Sequence, residues 1–127
     1  MLQELLDTDK IVDEVIDFIY ANTHYLVQRN ELERIIRLHI LYGTCTILHD
    51  KNKIIAICRW NIEDSGRKAK VLDLIIDKNY YDKGIVRQVF LKGISMFPNV
   101  KLIGWDRRRK YPTRDTHWYS VRQLLRR

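Results

Sequence analysis

Thiols are scarce in this sequence. Cys45 and Cys58 are the only two, and neither has a second cysteine or a histidine at a zinc-binding spacing. A structural zinc site is therefore excluded, and because both fall in expected strands they read as buried free thiols. Histidine is sparse too, with His24, His39, His49 and His117 scattered along the chain. His39 falls on the apolar face of an expected helix and reads as a core residue, and no metal site is expected. Long apolar runs are missing: the longest uncharged stretch, 38–48 with His39 neutral, is far short of the ~20 residues a bilayer span requires. The first fifteen residues carry Glu4, Asp7, Asp9, Asp13 and Glu14, the wrong charge for a secretory or transit peptide. A cytoplasmic protein without membrane association is expected. Internal repeats and low-complexity tracts are absent as well.

What is present is the composition of a folded protein, 46% hydrophobic and 31% charged over 127 residues. That is enough for one domain burying roughly two-thirds of its unfolded surface, with no cofactor or disulfide needed to hold it. Asp7 or Thr8 can cap a first helix, in which Ile11, Val12, Val15, Ile16 and Ile19 recur at helical spacing until Asn22. Asn30 with Glu33 offers a capping-box start to a second, striped by Leu32, Ile35, Ile36, His39 and Ile40 and ended by Gly43. Residues 44–49 alternate as a strand that pairs across 50–53 with a strand at 54–61, and turn residues 63–66 lead to a strand at 71–76. After a loop at 77–84, Val86, Val89, Phe90, Ile94 and Phe97 mark a third helix stopped by Pro98, and 100–105 is a last apolar run.

A strand, a helix and a strand joined this tightly form a right-handed crossover with the two strands parallel. The helix N-terminus then opens beside the strand ends, where phosphates bind. The predicted class is α+β, a mixed but mostly antiparallel sheet with helices on both faces. Ile55, Ile57, Leu72, Leu74, Val89, Phe90 and Ile103 are expected to share one core.

Charge separates residues 1–106, an α/β domain, from 107–127, a basic aromatic segment that is either part of that domain or a tail. Residues 101–127 hold nine basic side chains against Asp106 and Asp115, whereas residues 1–100 hold 14 of each sign. The whole excess of +7 sits at one terminus. Such a segment is a solubilising surface or an anion-binding one, and Trp105, Tyr111, Trp118 and Tyr119 are interleaved with its arginines as base stacking requires. Candidate nucleic-acid or acidic-partner contacts are Arg107, Arg108, Arg109, Lys110, Arg114 and Trp118.

The order of a meander, a strand, a glycine-bearing loop, a helix and a parallel strand over about residues 9–105 resembles the GNAT superfamily of acyl-coenzyme A dependent N-acyltransferases. In that family the strand before the loop is bulged and splayed from the next, and the pantetheine arm lies in the gap. The family's phosphate pattern, Gln/Arg-x-x-Gly-x-Gly/Ala, falls on Tyr81-Asp82-Lys83-Gly84-Ile85-Val86. Gly84 matches, Val86 stands where a second small residue belongs, and Tyr81 replaces the usual Gln or Arg. The resemblance implies acetyl-CoA or another acyl-CoA as cofactor and an amine as acceptor. Lys83, Gly84, Ile85, Val86 and Arg87 would then be the cofactor-binding residues, through backbone amides and positive charge. It also implies a strand carboxylate and a late tyrosine as catalytic groups, for which Asp73, Tyr111 and Tyr119 are available. The family's late Asn-x-x-Ala and Tyr pattern is replaced by the arginine-rich segment. Two functions stay open: an N-acyltransferase, or a non-catalytic GNAT-like accessory protein, of a kind that would suit a phage or plasmid, that binds nucleic acid or an acidic partner.

Overall fold

The computed structural model describes residues 2–24, 27–81, 84–107 and 115–126. Two helices come first, α1 (Leu2–Asn22) and α2 (Arg29–Leu41), followed by the strands β1 (Cys45–Asp50), β2 (Lys53–Glu63) and β3 (Lys68–Ile76). Next are α3 (Ile85–Met96), β4 (Leu102–Arg107), β5 (Asp115–Ser120) and the short α4 (Val121–Leu125). The five strands form one sheet in sequence order, antiparallel at every junction except β3–β4, which is parallel. The mixed α+β class is therefore as expected. The basic terminus adds a strand and a helix that its polar sequence did not suggest.

Helices cover both faces. Val12, Val15, Ile16 and Ile19 of α1 and Leu32 and Ile36 of α2 close on Ile54, Ile57 and Ile75. Pairing of Arg29 with Asp17 at 3.0 Å and of Arg37 with Asp9 at 2.6 Å aligns the two helices antiparallel. On the other face Ile85 and Val89 of α3 pack on Ala56, Cys58, Trp60, Ala69, Ile76 and Ile103. Gly93 lets α3 settle on the Trp60 ring, since a Cβ there would lie 2.5 Å from Trp60 Cζ2. The indole Nε1–H donates to Thr46 Oγ1 at 2.9 Å, and the Thr46 hydroxyl faces Met96 Sδ at 3.2 Å, so this buried polar pair is satisfied.

The expected single core is divided between these two layers. On β2, Ile54 pairs with His49 and Ala56 with Leu48, which leaves Ile55 as a bulge residue. On β3, Asp73 pairs with Arg59 and Val71 with Trp60, which leaves Leu72 as a second one. Each extra residue shifts the alternation of faces by one. Ile57 consequently joins the α1 and α2 layer and Leu72 is 43% exposed, while Ile55, Leu74, Val89, Phe90 and Ile103 share the α3 layer.

Helix starts also differ from expectation. The first helix begins at Leu2, upstream of Asp7 and Thr8, and Gln28 rather than Asn30 is the N-cap of α2. Asn30 accepts from the Glu31 N–H at 2.9 Å instead. Both cysteines are buried free thiols, and burial pushes Cys45 up to about 11 and Cys58 well above the ordinary thiol range. Among the described residues no helix is long and apolar enough to cross a membrane.

Candidate active site

The parallel junction is incomplete. β3 pairs with β4 only where Lys68–Val71 face Leu102–Trp105, and the ladder stops at the bulged Leu72 although β3 continues to Ile76 and β4 to Arg107. Past that point β3 keeps its bonds to β2 but, among the described residues, no longer pairs with β4. The separation leaves a cleft of about 540 Å³ lined by Lys70, Val71, Leu72, Asp73, Leu74, Trp105 and Asp106.

Asp73 enters this cleft held from behind. The Arg59 Nε–H donates to Asp73 Oδ2 at 2.9 Å, and Arg59 Nη2 approaches the same oxygen. Arg59 Nη1 faces His39 Nε2 at 3.4 Å, and His39 Nδ1 lies 2.7 Å from Thr44 Oγ1. Only one tautomer satisfies this chain: Nδ1 carries the proton and donates to Thr44, while Nε2 accepts from the guanidinium. Burial, with help from the Arg59 charge, lowers the His39 pKa and favours that neutral ring. Across the cleft Lys70 pairs with Asp106 at 3.2 Å, and the Thr116 hydroxyl donates to the same oxygen at 2.6 Å.

The loop from β3 to α3 is pinned at its base. Asp77 is 6% exposed, accepts from the Asn79 N–H at 2.9 Å and meets Lys53 at 3.3 Å. The Asn79 N–H, with the Lys53 charge adding to it, draws its pKa below the ordinary carboxylate value. Tyr80 reaches Asp50 with its hydroxyl at 2.8 Å. Gly84 then takes φ 70° as the N-cap of α3 and, being glycine, brings no side chain of its own to the cap. A left-handed residue here suits glycine, and the opening turn of α3 has N–H groups without intrahelical partners. Ile85 is buried beneath this turn, and Val86 is 41% exposed upon it. With Phe90, Leu91 and Leu124, Val86 lines an apolar groove of about 410 Å³, and Trp105 borders both this groove and the cleft. Arg87 turns toward α4 and donates to the Leu124 and Leu125 carbonyls at 3.3 Å each.

Of the sequence candidates, Asp73 stands in the cleft and Gly84, Ile85, Val86 and Arg87 at the helix start. Tyr119 lies on the α3 face, its ring stacked 4.7 Å from that of Trp105. Trp118 packs on Gly104, where a Cβ would meet it at 2.6 Å, and Lys68 Nζ sits 5.0 Å from its ring centre. Arg107 ends β4. Lys83, Arg108, Arg109, Lys110, Tyr111 and Arg114 lie outside the described residues. Sequence reasoning missed Arg59 and assigned His39 to the core; strand register would have exposed Arg59, since it faces Asp73 across the β2–β3 hairpin. A further hollow of about 570 Å³ between α1 and the β1–β2 turn is lined by Asp77, already engaged by Asn79 and Lys53.

No protein-family model matches the chain, and no curated protein does. Solved structures do. A candidate acetyltransferase from Pyrococcus horikoshii is 15% identical with a TM-score of 0.60 over 78% of this chain and 36% of its own. The GNAT-like decarboxylase GphF, solved with isobutyryl-CoA, is 14% identical with a TM-score of 0.59 over 80% of this chain and 64% of its own. The diaminobutyrate acetyltransferase EctA from Paenibacillus lautus, solved with L-2,4-diaminobutyric acid and coenzyme A, is 12% identical with a TM-score of 0.59. That match covers 77% of this chain and 60% of EctA, so the chain spans less than two-thirds of each of these three proteins. At such identities the likeness is one of architecture: this chain has the GNAT fold.

Proposed function

We propose that this protein binds an acyl-coenzyme A in the β3–β4 cleft and transfers its acyl group to an amine. One observation carries the reading: the parallel ladder stops at a bulge beside a helix whose N-cap is a left-handed glycine. The peptide-like pantetheine arm can then pair with the open edge of β3 beyond Leu72, much as an added strand would. Its pyrophosphate would meet the backbone amides at Gly84, Ile85 and Val86 and the positive end of α3. Lys83 and Arg87 are the nearby cations in the sequence, Arg87 by exchanging the α4 carbonyls for phosphate. The amine attacks the thioester carbonyl carbon, a C–N bond forms, and the C–S bond breaks with its electron pair on sulfur. Asp73 is the carboxylate in place to meet the amine. Tyr119 and Tyr111 are the tyrosines available to protonate the departing thiolate.

The coenzyme complexes of GphF and EctA support this choice of cofactor. GphF is described as a decarboxylase, so the fold alone does not name the reaction. Calorimetric titration with acetyl-CoA and free coenzyme A, followed by mass spectrometry of a primary-amine panel incubated with acetyl-CoA, tests the reading. Binding and amine acylation are expected. Coenzyme binding without turnover, or binding of a DNA oligonucleotide alone, would assign the chain to the non-catalytic class acting through residues 107–127.

A further inference from the structure

Resting on the acyl-transfer reading of the cleft, we infer that Asp73 anchors the ammonium group of the acceptor amine and that Arg59, steadied by His39, is the positioning residue that aims it. An arginine and a carboxylate commonly pair through two oxygens, one to each arm of the fork. Here both Arg59 donors fall on Oδ2. Asp73 Oδ1 has no partner among the described residues, and the side chain, 24% exposed, lines the cleft.

Three elements hold that one carboxylate. β3 places it beside the bulge, β2 supplies the guanidinium, and α2 supplies His39, rooted on Thr44 at the α2–β1 corner. The guanidinium is planar and cannot swing without giving up the His39 nitrogen, so the direction of the free oxygen is set before a ligand arrives. The other cleft carboxylate, Asp106, is already engaged by Lys70 and Thr116. An anionic oxygen left open beside a reactive-thioester site selects a cationic N–H donor over an uncharged one. The reaction then balances simply. The anchored ammonium releases one proton to water, the free amine adds to the thioester carbonyl carbon and gives up a second proton as the C–S bond breaks, and the departing thiolate takes up one proton. Amide, free thiol and one net proton are the products.

The test uses the full chain, n-butylamine as probe and 1-butanol as its uncharged counterpart, titrated by amide NMR with and without coenzyme A. Butylamine is expected to shift resonances around Asp73 and butanol not to. Asp73→Asn should weaken butylamine about tenfold or more, the scale of one charged hydrogen bond. Arg59→Ala should do the same and Arg59→Lys should recover most of it. His39→Gln should give a smaller loss. Each variant's amide spectrum checks folding, and Asp73→Asn with Arg59→Lys keeps the question answerable where Arg59→Ala does not fold. Coenzyme affinity is measured separately. Coenzyme binding with butylamine unaffected by Asp73→Asn, or with no butylamine binding at all, overturns the anchor and leaves the acyl-transfer reading standing. Butylamine held through Asp73 without any coenzyme binding does the reverse. Where turnover is measurable, Asp73→Asn should raise the amine KM more than it lowers kcat. A lowered kcat at constant KM would make Asp73 a base and overturn the inference.

Discussion

β3 has two different edges. Against β2 it is paired from Lys68 to Ile76, whereas against β4 it is paired only from Lys68 to Val71. The same bulge at Leu72 is absorbed on the first edge and ends the ladder on the second. An antiparallel hairpin partner restores its register within a residue because further pairs follow on both sides of the bulge. A parallel partner delivered by a crossover has no such return, so the strands part. One edge thus builds a wall backed by Trp60 and α3, and the other builds an opening.

If the wall is as closed as it looks, removing its centre should produce the largest effect. Trp60 is 1% exposed, and Trp60→Ala is expected to lower unfolding free energy by ~3–5 kcal/mol in urea denaturation. A loss below about 1 kcal/mol would mean that the α3 layer is loosely packed. Gly93→Ala comes next, since its Cβ would sit 2.5 Å from Trp60 Cζ2. Overpacking of ~1–3 kcal/mol should outweigh the helix-propensity gain of ~1 kcal/mol, and a stabilised variant would show that the helix and indole can move apart.

The open edge is tested at its rim. Val86→Gly removes a half-exposed branched side chain from the helix start, so calorimetry should show tighter coenzyme A binding. Stability should fall by ~0.5–1 kcal/mol. Weaker binding would mean that Val86 makes a contact of its own with the coenzyme. The smallest effect concerns His39, whose pKa is lowered in the folded state. Between that folded value and the ordinary 6.5, the unfolded chain binds the extra proton, so stability falls as pH drops through 6.5. Chemical denaturation at several pH values should show a shallower slope in His39→Gln. An unchanged slope would place the acid sensitivity elsewhere.

Much of this architecture was legible from periodicity. The stripes of α1 and α2, the run of hydrophobics in β2 and the Pro98 stop all rest on local rules, and the elements occur where those rules place them. Asp73 and Gly84 were visible as a strand carboxylate and a loop glycine. Arg59 and His39 were not, because a hydrogen-bond chain through residues 39, 44, 59 and 73 has no signature along the sequence. The final strand was hidden by its polarity. β5 sits at the sheet edge, and Trp118 and Tyr119 fall on opposite faces of a strand whose neighbours are His, Thr and Ser.

The sequence by itself determined the element order as far as β4, the parallel crossover and the glycine at the start of α3, because hydrophobic period, turn chemistry and connection length are local quantities. Only the tertiary structure decided that the alternation would slip at Ile55 and Leu72, that the core would split into two layers, and that Asp73 would line a cleft with one oxygen held by Arg59. Those outcomes depend on which residue lies opposite which across the strands. That register is settled by packing on both faces at once and is not written in either strand alone.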